Sequence, residues 1–263
     1  MLEAKNISFR IGAKTLISEV SISFAPGKLH LIIGPNGAGK STLIKLLAAS
    51  LRPQTGNVEY DGVDIKTAHE SDLAKRRAVL SQAVEIAFPL TVREVVIMGR
   101  HPHFGGRPGA TDQSIVDEMM ELFDVGEFSE RNYQTLSGGE RQRVNFARVI
   151  AQLWRHNAAS SATSCRYLFL DEPLTFLDIH HQIEFMNKIR DFTHTSDVVT
   201  VGVVHDLNLA ARFADQIVLL SHGRIVANGT ATEVLTADRI RDVFQVETTF
   251  VPVEKTGVHL VFD

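Results

Sequence analysis

The sequence predicts an α/β fold with a β-rich N-terminal edge and an inserted helical lobe. Three observations carry that expectation. A short apolar run, Leu29 to Ile33, ends in a glycine-rich loop, and leucines at helical spacing follow it. Strand patterns return late in the chain, at Tyr167 to Leu170, Val198 to Val204 and Ile217 to Leu220. Between these, from about residue 70 to 163, the pattern is mainly helical, as over Ile115 to Phe123.

Each element follows from its local pattern. Ile7 and Phe9 alternate with polar residues, as do Val20, Ile22 and Phe24, so residues 2–33 contain short strands, with a turn at Pro26-Gly27. Leu43, Leu46, Leu47 and Leu51 mark a helix that Arg52-Pro53 should stop. Val58 to Tyr60 and Asp61-Gly62 read as strand and turn. A Gly-, Pro- and His-rich loop spans His101 to Gly109, and Arg155 to Ser164 reads as a flexible polar loop. The organisation expected is one domain over 1–263. Its core is built from 1–84 and 164–263, and its helical subdomain from 85–163.

Bulk composition narrows the function. Of 263 residues, 44% are hydrophobic, which supports a packed core and argues against global disorder. Lys plus Arg is 27 against 31 Asp plus Glu, a net charge of −4, so no basic excess points to nucleic acid. Cys165 is the one cysteine and cannot form an internal disulfide. No apolar run approaches the roughly 18 residues of a membrane span, and the N-terminus shows no leader pattern. The expectation is a cytosolic protein that reaches a membrane only through a partner.

Two glycine-rich helix starts and one acidic strand end carry the chemistry. Gly34-Pro35-Asn36-Gly37-Ala38-Gly39-Lys40-Ser41-Thr42 fits the phosphate-loop pattern with a strand before it and a helix after it. Glycines let successive N–H groups curl around an anion, and the helix N-terminus adds its positive end. Lys40 has the reach for β- and γ-phosphates, and Ser41 has a hydroxyl for Mg²⁺. The competing reading is a plain glycine-rich turn, but the pattern arises by chance in only about one random chain in a hundred. Tyr167-Leu168-Phe169-Leu170-Asp171-Glu172 ends a strand in two carboxylates: Asp171 suits Mg²⁺ and Glu172 suits polarising a water. Alone, such an end is as easily an acidic cap. Leu136-Ser137-Gly138-Gly139-Glu140 opens a second helix with a good N-cap and bare backbone N–H groups, though ordinary capped helices look similar.

Together these residues resemble the ABC ATPase family. Gly34 to Thr42 resembles Walker A, Tyr167 to Glu172 Walker B with its catalytic glutamate, and Leu136 to Glu140, followed by Arg141-Gln142-Arg143, the ABC signature. Gln82 falls at the Q-loop position, Leu177-Asp178 at the D-loop and His205 at the switch histidine, all in family order. The resemblance implies a RecA-like P-loop NTPase core and the cofactors ATP and Mg²⁺. It implies catalytic roles for Glu172, His205 and Gln82, and Mg²⁺ contacts from Ser41, Gln82 and Asp171. It implies nucleotide contacts at 34–42, Ser137, Gly138, Gly139 and Asp178, each ATP touching 34–42 of one chain and Ser137, Gly138 and Gly139 of its homodimer partner.

Met98-Gly99-Arg100-His101-Pro102-His103, Leu177 to Gln182 and Val243 to Glu247 resemble the narrower branch that powers iron-siderophore, haem and cobalamin import. That branch implies two copies of a polytopic permease, a periplasmic binding protein, no nucleic acid and no direct cargo contact. The subunit then sits peripherally on the cytoplasmic face of the inner membrane. His101, His103, His180 and His181 are expected in exposed polar roles rather than as haem ligands. One departure stands out: the family stacks adenine on an aromatic residue where this chain has Ile11. Either Phe9 takes that role from a shifted position, or adenine rests on an aliphatic surface. A module using ATP only as glue would lack a base, whereas Glu172 is intact. DNA-repair ATPases bring coiled coils or basic grooves, and exporters commonly carry fused membrane helices; neither pattern is present.

Overall fold

The computed structural model describes residues 1–81, 86, 88–155, 164–195, 197–253 and 257–262. Gln82, the Q-loop expectation, and positions 156–163 of the polar loop lie outside them.

Two long strands open the chain, β1 (Leu2–Ile11) and β2 (Lys14–Phe24), followed by β3 (Lys28–Ile33) and α1 (Lys40–Leu47). Next come β4 (Thr55–Tyr60), β5 (Val63–Asp64), α2 (Glu70–Arg76) and β6 (Arg77–Leu80). The helical lobe holds α3 (Val92–Met98), α4 (Ala110–Leu122) and α5 (Gly138–Leu153). The core resumes with β7 (Arg166–Asp171), α6 (Ile179–His194), β8 (Val198–Val203), α7 (Leu207–Phe213), β9 (Gln216–Ser221) and β10 (Arg224–Gly229). Two short helices, α8 (Ala231–Val234) and α9 (Ala237–Phe244), precede a hairpin of β11 (Thr248–Val253) and β12 (Gly257–Phe262).

The central sheet runs β10-β9-β3-β8-β7-β6, and β9, β3, β8, β7 and β6 are mutually parallel. Buried on both faces, these strands are nearly continuous runs of Val, Ile and Leu, the pattern parallel sheets require. One face packs, with α1, against the antiparallel sheet β2-β1-β4-β5. The other packs against the helical lobe, α6 and α7. Neither the order of the strands nor this second sheet is visible in local pattern.

Several expectations needed correction. The first helix ends at Leu47, and Ala49 turns into the left-handed region (φ 56°), so Leu51 lies beyond it and merely packs against the cluster. The strands at 2–24 are longer than expected because irregularities in their pairing interrupt the alternation. His103 is not an exposed polar group. It is half-buried, its Nε2 lies 2.8 Å from the Gln152 carbonyl, and burial lowers its pKa.

The Gly99-Arg100 segment proves to be a brace. A Cβ on Gly99 would stand 2.0 Å from the Arg148 carbonyl oxygen, so only glycine lets α3 approach α5 this closely. Arg100, 5% exposed, donates to Asp112 at 3.1 Å and to the carbonyls of Ala151 and Trp154 at 2.7 and 3.2 Å. It ties the ends of α3, α4 and α5 together.

Candidate active site

The site grows from one edge of the central sheet. Because β3, β8 and β7 are parallel neighbours, their C-terminal ends share an edge, where open α/β sheets bind ligands. The register aligns Ile32, Val203 and Asp171 across the three strands. The phosphate loop therefore leaves β3 beside the residues that follow β8 and about 10 Å, two strand spacings, from the end of β7.

The loop has glycine where geometry demands it. Gly34 (φ 151°) faces the Leu220 carbonyl, which a Cβ would meet at 2.0 Å; Gly39 (φ 104°) faces the Leu16 carbonyl at 2.5 Å. α1 begins immediately after, at Lys40, with no side-chain cap and no acidic residue in its first turn. Its N-terminal N–H groups and positive end are unopposed by the chain's own side chains, as an anion site requires. Lys40 is 5% exposed and donates to the carbonyls of Gly34 (2.8 Å) and Pro35 (3.0 Å). Burial lowers its pKa, while the charges of Glu172 and Asp171 oppose the drop.

Asp171 ends β7 only 7% exposed, and its Oδ1 has no hydrogen-bond partner among the described residues. Burial pushes its carboxyl above the usual carboxylate range; the Ser41 hydroxyl, hydrogen-bonded to it, opposes that, and the Glu172 charge adds to it. A buried carboxylate oxygen without a donor costs about 1–3 kcal/mol. Beside a hydroxyl and a phosphate loop, a hard cation is the natural partner, so these residues fit Mg²⁺.

Glu172 follows in the left-handed region (φ 52°), backbone strain of the kind found at functional sites. Its Oε1 lies 2.9 Å from Nε2 of His205, which follows β8. Thus His205 and Glu172 meet although 32 residues separate them, because β7 and β8 are neighbours.

The second helix start is elsewhere. Ser137 caps α5 in a reciprocal box: its Oγ accepts from the Glu140 N–H at 3.3 Å, and its own N–H donates to Glu140 Oε2 at 2.7 Å. α5 packs against β6, the far edge strand, three strands from β3. Ser137 and Gly138 are exposed. Gln142, about one turn into α5, is buried and donates to the Pro173 carbonyl at 2.6 Å, binding α5 to the loop after Glu172. Asp178 caps α6, accepting from the His181 N–H at 3.0 Å and pairing with His181 Nδ1 at 2.8 Å. The sequence marked Gln142 only as part of the signature-like run; its partner, 31 positions away, has no local signal.

At the β1–β2 turn, Phe9 is half-buried in the hydrophobic cluster, whereas Ile11 is 64% exposed.

A glycine-rich loop, a buried carboxylate beside a serine hydroxyl, and a Glu–His pair on one sheet edge define a phosphate-loop nucleoside triphosphatase. The family model for the ABC transporter matches residues 17–175, more than half of the chain, which belongs to the ABC transporter family. It is 42% identical over 247 residues to the hemin import ATP-binding protein of Bradyrhizobium diazoefficiens, spanning 94% of this chain and 89% of that one. The same identity holds over 261 residues with the hemin import ATP-binding protein of Gloeobacter violaceus, spanning 99% and 93%. Among solved structures, the ADP conformation of an ATP-binding cassette from an ABC transporter superposes with a TM-score of 0.78 at 21% identity, over 93% of this chain and 98% of that one, a likeness of fold.

Proposed function

We propose that the chain is the ATP-hydrolysing subunit of a bacterial inner-membrane importer, and that its cargo is haem. The observation that carries the ATPase reading is the convergence of Lys40, Ser41, Asp171, Glu172 and His205 at one sheet edge. Lys40 exchanges its loop carbonyls for β- and γ-phosphate oxygens. Ser41 and Asp171 would hold Mg²⁺, which supplies charge neutralisation on the phosphates. Glu172 orients and polarises the attacking water, and His205 fixes the Glu172 carboxylate. Gln82 reports the γ-phosphate to the permease. The relatives at 42% identity over nearly the whole chain support haem as the cargo. Among the described residues no helix is long and apolar enough to cross a membrane; the proposed reading gives translocation to a permease partner.

The test is co-purification with the permease, reconstitution in liposomes, and ATPase assay with loaded binding protein. Haem-loaded binding protein should stimulate turnover. Stimulation by cobalamin or a ferric siderophore but not haem would overturn the cargo and leave the motor. Stimulation by none would place the chain in another transporter class.

The same reading holds that each ATP is shared by two chains. Ser137 caps α5, which packs at the far edge strand β6, and Gly138 and Gly139 present bare N–H groups there, suited to charge developing on a γ-phosphate. Ser137→Arg should block hydrolysis and leave first-site ATP binding intact. Mixed with Glu172→Gln chains, it should regain activity, since one interface collects both lesions and the other neither. A linked dimer carrying both lesions in one site controls for single-site turnover. If that control works and verified mixed dimers stay dead, the shared site fails.

A further inference from the structure

Asn208 is an unexpected residue for its place. It is the second residue of α7, a helix of seven, and asparagine weakens a helix by competing for backbone hydrogen bonds. Leu207, Leu209, Ala210, Ala211 and Phe213 are the buried residues of that helix, while Asn208 is half-buried and reaches the C-terminal hairpin. Its Oδ1 accepts from the Leu260 N–H at 2.7 Å, and its Nδ2 donates to the Leu260 carbonyl at 3.0 Å. One side-chain amide thus meets both backbone groups of a residue in β12, as a neighbouring strand would.

The backbone of Asn208 is bonded towards the active site. Its N–H donates to Asp206 Oδ1 at 2.7 Å, the oxygen that also takes the Leu209 N–H at 3.0 Å and so caps α7. Asp206 directly follows His205, whose Nε2 lies 2.9 Å from Glu172 Oε1. A continuous path therefore runs from Leu260 through Asn208, Asp206 and His205 to Glu172.

A plain tether for the hairpin does not need this path. Leu260 is 2% exposed in the main core cluster, and Phe250, opposite it in the hairpin, packs against the same cluster. Apolar burial already holds the hairpin down, but burial is non-directional. It presses α7 onto β3 and α6 and leaves the helix free to slide or rotate slightly. Two hydrogen bonds of fixed geometry remove that freedom at the first turn, three residues from His205. Small shifts matter there, because misplacing a reacting group by about 1 Å can cost about a hundredfold in rate.

We propose that Asn208 is a positioning residue: its amide pair with Leu260 makes the C-terminal hairpin a strut that holds the first turn of α7 and so sets the His205 imidazole against the Glu172 carboxylate. This rests on the roles given to His205 and Glu172 above. The hairpin is then part of the hydrolytic scaffold rather than an appendage to it.

The experiment measures hydrolysis of radiolabelled ATP against ATP concentration, for full chains in the transporter complex, together with Tm. Asn208→Ala should lower kcat about tenfold and keep KM for ATP within about twofold, because the phosphate contacts are untouched. Val234→Ala is the matched control. It truncates a fully buried side chain on α8, which packs on β12, and leaves the amide pair in place. It should lower Tm at least as far as Asn208→Ala does, yet keep kcat within about twofold. The second arm is a double-substitution cycle with His205. If Asn208 acts through the imidazole, Asn208→Ala should cost less than about twofold in a His205→Ala chain. Unchanged kcat in Asn208→Ala overturns the proposal. So does an equal kcat loss in Val234→Ala at equal Tm, or a cycle in which the two penalties multiply. Near-normal kcat in His205→Ala alone is a different failure: it removes the role given to His205, and the proposal with it.

Discussion

The two glycine-rich helix starts look alike in sequence and differ in what the chain does with them. At α1, Gly39 offers no side chain, the first turn holds no acid, and a buried lysine lies over the loop. At α5, Ser137 and Glu140 cap each other, and the Glu140 carboxylate already sits on the helix's positive end. Hydrogen bonds to the Ser137 backbone and side chain, foremost, hold the Glu140 carboxyl below its usual range. On the proposed reading the first start is the anion site that the chain itself supplies. The second is satisfied without an anion and keeps only the N–H groups of Gly138 and Gly139 to offer. On the shared-site reading proposed above, this difference suits a strong site that retains nucleotide and a weak one that engages and lets go.

The largest expected effect attacks the complete site. Glu172→Gln keeps shape and removes charge, so it should bind MgATP with little change and lose about two to four decades of turnover. Near-normal turnover would remove the assignment of Glu172, and with it the claim that chemistry resides at the α1 end.

Lys40→Ala should fail differently. It deletes one charge-assisted contact to phosphate, worth about 1.5–3 kcal/mol, so ATP affinity should fall about 10- to 100-fold by calorimetry. The equivalent loss at α5, in Ser137→Arg, should leave first-site affinity alone. Equal losses in both variants would erase the asymmetry between the two starts.

Much of this was legible in the sequence, and the reason is locality. The phosphate loop, the acidic strand end and the capped second helix are each a run of neighbouring residues whose chemistry needs only their own backbone. What escaped is what the sheet assembles. His205 meets Glu172 because β8 lies beside β7, and Gln142 reaches Pro173 across 31 positions. Gly99 was legible as part of a recurring segment, but its reason, the Arg148 carbonyl 2.0 Å from a would-be Cβ, exists only once α3 meets α5.

A smaller effect sharpens the comparison through pH. Burial raises the Asp171 pKa above its ordinary value of about 3.9. A raised carboxyl favours the fold fully below the unfolded pKa, and that contribution is lost as pH rises through the folded one. Above that range the nucleotide-free chain therefore bears a desolvation penalty at Asp171, whose Oδ1 has no hydrogen-bond partner among the described residues. Asp171→Asn should raise its Tm by a few degrees at pH 7, with the gap closing as pH falls toward 4, on the scale of about 2–4 °C per kcal/mol. MgATP should then stabilise the wild type and not the variant. A Tm unchanged at pH 7 would mean that Asp171 meets no penalty for want of a cation.

The smallest effect falls on the satisfied helix start. Ser137→Ala removes the oxygen that accepts from the Glu140 N–H and leaves the Gly138 and Gly139 N–H groups in place. Loss of such a cap costs about 1 kcal/mol, so Tm should fall by about 2–4 °C. Without Ser137 the Glu140 carboxylate also loses part of what holds it below its usual range, and the α5 end becomes less fully satisfied by its own chain. If the cap opposes engagement of the partner's phosphate, Ser137→Ala should stabilise the closed, ATP-bound dimer relative to the open one while destabilising the free chain. If instead the Ser137 hydroxyl itself contacts phosphate, both should weaken together. Dimer formation by the Glu172→Gln chain with and without Ser137→Ala, compared with Tm of the nucleotide-free protein, separates the two. Only the first outcome is consistent with a start built to be complete alone and to yield in the dimer.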